Sequence, residues 1–195
     1  METSMPRVAL ATPLAVALML VTSVASADIV IGAEADLAIP VGDSSDDLSV
    51  GYGFLGRFGI ALGVGPIEIT PEIGGGYQAF PVDELAVYTG AHLESAREGT
   101  AGLGRAFVGG RVALDKDISP AVYARVGLGY MSTPGDDYFG PTLGGGLALE
   151  FRYIPLLNLG VHVGYDSLIL GENEAGVDVP PVQWVALGAH VALQF

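Results

Sequence analysis

Hydropathy along this chain alternates with a period of two, segment after segment. That pattern limits it to sheets with one apolar face and one polar face. From Ile29 the odd positions are Ile29, Ile31, Ala33, Ala35, Leu37 and Ile39, while Glu34 and Asp36 fall on even ones. Seven further segments repeat the arrangement. In 50–64, Val50, Tyr52, Phe54, Phe58, Ile60, Leu62 and Val64 face away from Arg57 and a set of glycines. In 67–80, Ile67, Ile69, Ile73 and Tyr77 oppose Glu68, Thr70, Glu72 and Gln78. In 103–114, Val108, Val112 and Leu114 oppose Arg105, Phe107 and Arg111, and in 121–131, Val122, Ala124, Val126, Leu128 and Tyr130 oppose Tyr123 and Arg125. In 142–153, Leu143, Leu147, Leu149, Phe151 and Tyr153 oppose Glu150 and Arg152. In 157–166 the polar face carries Asn158, His162 and Asp166, and in 183–195 it carries His190 and Gln194.

Composition decides which way the apolar faces turn. Half the residues are hydrophobic and mean hydropathy is +0.49, yet no stretch after the first two dozen residues is apolar for the length a membrane helix needs. Only helices and closed barrels satisfy every backbone group in a bilayer. Eight strands of spanning length therefore predict an all-β fold, an eight-stranded antiparallel transmembrane β-barrel with lipid outside and polar groups inside. The 22 acidic residues against 8 basic ones give a net charge of -14, which excludes nucleic acid as a partner.

The connections agree. Long polar segments follow the odd strands, at 42–49, 81–102, 132–141 and 167–182, and short links containing Pro66, Pro120 and Pro155 follow the even ones. Alternating long and short loops is the outer-membrane arrangement. Ahead of the first strand, Arg7, an apolar run to Val24 and the small residues Ala25-Ser26-Ala27 form an export signal, so 1–27 is expected to be removed and 28–195 to be the barrel domain. Two aromatic girdles are expected: Tyr52, Phe54, Tyr77, Tyr130 and Tyr165 at the long-loop end, and Phe151, Tyr153 and Phe195 at the other. Pro71 cannot donate to a ladder, so the third strand is expected to begin at Glu72 or to bulge there.

With these features the chain resembles the OmpA/OmpX-like small outer-membrane barrels over 28–195. The resemblance rests on strand count, loop asymmetry and a last strand ending in Val191, Leu193 and Phe195. In that family such an ending is the signal read by the barrel-assembly machinery. The family usually places Gly five residues before the terminal aromatic, where this chain has His190, with Gly188 two residues earlier.

By parity Glu34, Asp36, Arg57, Glu68, Glu72, Arg105, Arg111, Arg125, Glu150, Arg152, His162, Asp166 and His190 face inward. Glu34, Arg57, Glu72, Arg111, Arg125, Glu150, His162 and His190 fall near mid-depth, where buried charges must pair. The network is expected to be a structural filling of a narrow interior. A small-solute pore is the alternative, since inward glycines leave room. A lipid-modifying enzyme would need a nucleophile with a base in reach. Its nearest candidate set is His162, Asp166 and Ser167, whose spacing does not suit direct contact, and no catalysis, cofactor or bound metal is expected. The outer loops carry Asp43, Asp46, Asp47, Asp83, Glu84, Glu94, Glu98, Asp136, Asp137, Glu172, Glu174 and Asp178. They suit weak divalent-cation bridging to lipopolysaccharide. The expected role is a monomeric structural or surface-interaction protein whose partners are outer-membrane lipid and lipopolysaccharide.

Overall fold

A computed structural model describes residues 26–89, 92–134, 137–170 and 179–195, without the side chains of 26 and 83–98. Eight antiparallel strands close into a barrel: β1 (Ser26–Pro40), β2 (Gly51–Val64), β3 (Ile67–Thr89), β4 (His92–Leu114), β5 (Ile118–Ser132), β6 (Asp137–Ile154), β7 (Leu157–Leu168) and β8 (Val182–Gln194). Each strand pairs with its neighbours in sequence, and β1 closes on β8 from Val30↔Gln194 to Pro40↔Trp184. Closure leaves the barrel wall no free sheet edge, so within it the strands satisfy one another's backbone groups all the way round. A helix α1 (Ser44–Asp47) follows β1. No helix of the described residues is long and apolar enough to cross a membrane.

The period-two pattern becomes an inside and an outside. β2 alternates buried and exposed residues over most of its length, as does β5. Ile31, Phe58, Ile73, Val108, Val126, Leu147 and Val161 are exposed on the outer face. An apolar belt of this extent on every strand is unstable in water and stable in hydrocarbon.

Several boundaries differ from the sequence expectation. The segment 81–102 is not a plain connection, because β3 continues to Thr89 and β4 begins at His92. The ladder runs on through Pro81↔Thr100, Leu85↔Arg97 and Thr89↔His92, with register shifts after Val82 and Val87. Val82, Val87, Tyr88 and Thr89 favour extended backbone, and the two strands of the ribbon pair with each other while their outer edges have no strand neighbour. Pro71 starts no strand and makes no bulge. It lies within β3, paired with Gly110 of β4. On the β2 side the ladder lapses between Gly59↔Glu72 and Leu62↔Ile69 and resumes in the same register, which accommodates a residue that cannot donate. Pro120 is also a strand residue, opposite Leu149, and the turn before it is Asp115–Asp117. The third long connection shrinks to 133–136, since β6 begins at Asp137. The two-residue turns use left-handed backbone at Gly65 (φ 62°) and at Leu156 (φ 66°).

Inside, side chains fill the bore in layers. At the long-connection end, Trp184, Phe80, Leu103, Leu168, Met131, Val82 and Leu48 form an apolar cluster with Ala38, Ala101 and Ala186. Below it lie the charged residues, and near the short-turn end alanines pack as two small groups, Ala113 with Ala121 and Ala148, and Val30 with Ala61 and Ala192.

Candidate functional site

Six inward side chains from six strands meet at mid-depth: Glu34 from β1, Arg57 from β2, Glu72 from β3, Arg111 from β4, Arg125 from β5 and Glu150 from β6. Arg125 donates from Nη1 and Nη2 to the two oxygens of Glu34, at 2.9 and 2.7 Å, and from Nε to Glu72 at 2.9 Å. Arg111 donates to Glu34 (3.1 Å) and Glu150 (3.0 Å). Arg57 donates to Glu72 (3.3 Å), and its Nε lies 3.0 Å from Glu34 without the alignment of a hydrogen bond. Glu34 thus lies within ion-pair distance of three guanidinium groups at once. Three positive and three negative side chains, all buried, balance within one layer. Such pairs are retained in low dielectric only when their remaining donors and acceptors are also met.

Two further layers flank this one. Toward the short-turn end Arg152 grips Glu68 with two bonds (3.1 and 2.8 Å) and also reaches Glu150 (2.7 Å). Gln194 ties Glu68 to Asp28, and Asn158 donates to Gln194. Toward the long-connection end Arg105 pairs with Asp166 (2.8 Å), and Asp36 accepts from Gln78 (3.2 Å). Of the 8 Lys and Arg residues in the chain, Arg57, Arg105, Arg111, Arg125 and Arg152 are therefore committed to interior ion pairs.

Aromatic rings inside the bore complete the layer: Phe107 and Tyr123, expected on the inner face without a role, and Trp184, for which no facing was expected from the sequence. Arg125 lies over Phe107 (4.8 Å) and Tyr123 (4.6 Å), Arg111 over Tyr123 (5.3 Å), and Arg105 over Trp184 (5.5 Å). Guanidinium faces that cannot all point at carboxylates are thereby covered by ring faces.

His162 and His190 stack obliquely with ring centroids 5.7 Å apart. Glycines make their space. A Cβ at Gly160 would come within 2.5 Å of the His190 ring, and one at Gly188 within 2.7 Å of His162 and 2.8 Å of Asp36. Nδ1 of His162, both ring nitrogens of His190, Nε of Arg57 and Arg111, and Nε1 of Trp184 are buried without a hydrogen-bond partner, although Nε of Arg57 and Nε2 of His190 lie 3.0 and 3.8 Å from Glu34 and Glu150. Buried polar atoms of this kind mark places for ordered water.

The enzyme constellation does not assemble. Asp166 is engaged by Arg105, and Ser167 falls between the buried Asp166 and Leu168 on the opposite parity of β7 from His162. Among the described residues no group of His, Cys, Asp or Glu is arranged to hold a metal ion. Of the acidic loop residues, Asp43, Asp46, Asp47 and Asp137 are exposed. Asp136, Glu172, Glu174 and Asp178 and the side chains of Asp83, Glu84, Glu94 and Glu98 lie outside the described residues, as does most of the segment expected to be an export signal.

On the exterior, Tyr52, Phe54, Tyr77, Tyr130 and Tyr165 are exposed near the long-connection end, with Phe54 and Tyr77 6.2 Å apart. Tyr153 and Phe195 are exposed near the other end, and Phe151 is half-buried. Phe139 is a further exposed aromatic, opposite Tyr130. It escaped the sequence reading because 132–141 was taken as a connection. Val191 and Leu193 are exposed on the same outer face, and the backbone of Phe195 exchanges both hydrogen bonds with Ile29.

No protein-family model matches the chain, and no curated relative does. Solved structures do. Neisserial surface protein A (NspA) is 16% identical, with 87% of this chain aligned to 99% of that one at a TM-score of 0.53. A major outer membrane protein of Thermus thermophilus is 15% identical, covering 87% of this chain and all (100%) of that one, at 0.48. The attachment invasion locus protein Ail of Yersinia pestis is 12% identical, with 87% and 97% covered, at 0.41.

Proposed function

We propose that this chain, an outer-membrane barrel of OmpA/OmpX-like fold, is a closed structural barrel that meets its surroundings through its acidic outer connections and catalyses nothing. One observation carries the reading. The bore is filled twice over, by a balanced layer of three arginines and three glutamates and by an apolar stopper above it. A permeating ion would have to displace buried charge pairs and then cross an apolar constriction, each at high cost.

The rest of the reading is built on that. Outer-membrane lipid covers the exterior belt, and the aromatic girdles sit at its two interfaces. Val191, Leu193 and Phe195 are offered to the barrel-assembly machinery. Asp43, Asp46 and Asp47 in the first loop bind divalent cations weakly and bridge to lipopolysaccharide. The barrel acts as a monomer. Cleavage follows Ala27, so that Asp28, whose carboxylate accepts from Gln194, becomes the first residue.

Single-channel recording in planar bilayers tests the reading. Negligible steady conductance is expected, and a freely conducting protein would replace this reading with a second one, a small-solute pore. That second reading draws on the buried nitrogens of His162, His190, Arg57 and Arg111 that make no hydrogen bond within the protein, which are places for water within the bore.

A further inference from the structure

Above the stopper the outer mouth forms a cup of about 170 Å³. Leu48, Met131, Leu170 and Val182 line it, and each packs in or against the apolar cluster that closes the bore beneath. An apolar cavity of about 150 Å³ is enough for one benzene ring, so the cup has room for a single ring or a short branched alkyl group.

Its rim is charged in one sense. Helix α1 places Asp43 at its N-cap and Asp47 at its last residue. Residues four apart share a helix face, and both line the cup together with Ser44 and Leu48. The Ser44 hydroxyl is occupied elsewhere. It donates to the carbonyl of Pro181 (3.2 Å) and accepts from the backbone N–H of Gln183 (2.9 Å), which fixes α1 against the start of β8. The two carboxylates are thus held at the mouth by a pinned element. Among the described side chains, no Lys or Arg stands at this mouth. The nearest inward cation along the bore, Arg105, lies under the stopper and is paired with Asp166.

From this we infer that the cup is a binding site for a small organic ammonium, with an aryl or short alkyl body in the cup and its charged end between Asp43 and Asp47. The apolar lining gives an organic ammonium an advantage over the divalent cations that the same carboxylates bind weakly, and the rim charge selects against carboxylates and phosphates. This goes beyond the closed-barrel reading and rests on it, because the stopper is the floor of the cup; conductance tests the closure and a binding titration tests the cup, so the two can fail separately.

The test is calorimetric titration of the refolded barrel in detergent micelles with 2-phenylethylammonium, and with 2-phenylethanol as its neutral match. Saturable one-to-one binding of the ammonium is expected. The variant Asp43→Asn/Asp47→Asn should weaken it about ten-fold, the scale of two partly solvated ion pairs, with little change for the alcohol. Leu170→Trp, which fills the cup from its wall, should abolish both. Heat-modifiable gel mobility confirms that each variant is folded. Heat no greater than partition into empty micelles, or ammonium binding undiminished by either variant, would overturn the inference.

Discussion

Removing Arg125 probes the interior most directly. Its three hydrogen bonds to Glu34 and Glu72 would suggest a large loss if added, since bonds to charged groups contribute roughly 1.5–3 kcal/mol each. They do not add here. Arg57 and Arg111 remain on Glu34 at 3.0 and 3.1 Å, and on Glu72 at 3.3 and 3.9 Å. What Arg125→Ala leaves is one uncompensated negative charge shared by two carboxylates, and breaking a buried pair costs about 3–5 kcal/mol. Because two guanidinium groups stay in place, the low end of about 3 kcal/mol is expected. A paired change discriminates further. Arg125→Met refills volume but leaves the charge, so it should be nearly as damaging, whereas Arg125→Met with Glu34→Gln restores the balance and should recover most of the loss. The assay is the urea midpoint of folding into lipid vesicles, read by heat-modifiable mobility, alongside conductance. A loss below about 1 kcal/mol for Arg125→Ala, in a wild type that conducts, would mean that the layer was already hydrated and would refute the argument.

Three other outcomes follow from the structure. Arg in place of Leu147 or Val161, which are 59% and 52% exposed on the outer face, should destabilise the barrel by about 2–4 kcal/mol in vesicles; spin labels there reporting water instead of lipid would contradict the facing. Trp184→Ala removes the largest fully buried side chain of the stopper and should cost about 3–5 kcal/mol while conductance stays negligible, because the charged layer beneath is intact; a jump in conductance would show that the stopper alone holds the bore shut. Mass spectrometry of the protein purified from outer membranes should find Asp28 as its first residue, and retention of 1–27 would remove the export-signal reading.

Most of the wall was legible because lipid and a polar interior impose opposite demands on alternate residues. A charged residue such as Glu34 or Arg125 therefore fixes the facing of its whole strand. The same reasoning could have found the stopper. Phe80 shares parity with Gln78, Leu103 with Arg105, Leu168 with Asp166, and Trp184 with His190, so all four point inward. They went unassigned because apolar residues in such a chain are read as facing lipid, and nothing in a single strand says that an interior turns apolar at one end. The reach of β3 and β4 was illegible for another reason. A ribbon standing clear of the barrel need not alternate, and Asp83, Glu84, Glu94 and Glu98 resemble a loop whether or not the backbone pairs. Pro71 and Pro120 misled by the ordinary rule for proline, which a ladder can absorb by dropping bonds at one neighbour. The aromatic interior partners of the arginines were visible by parity, but their stacking depends on which strands face across the bore, and that follows only from closure.

The position of Glu34 has a consequence for how the barrel comes together. It lies on β1, opposite His190 of β8, along the seam that joins the two ends of the sheet. The arginines it serves stand on β2, β4 and β5. Before the seam closes, those guanidinium groups lack their common acceptor. A seam formed one residue out of step would turn the carboxylate to the hydrocarbon side and leave three arginines with only Glu72 and Glu150 between them, since a single-residue slip inverts every side chain. The interior charge layer therefore acts as a check on alignment: only one pairing of the first strand with the last lets the final hairpin lock.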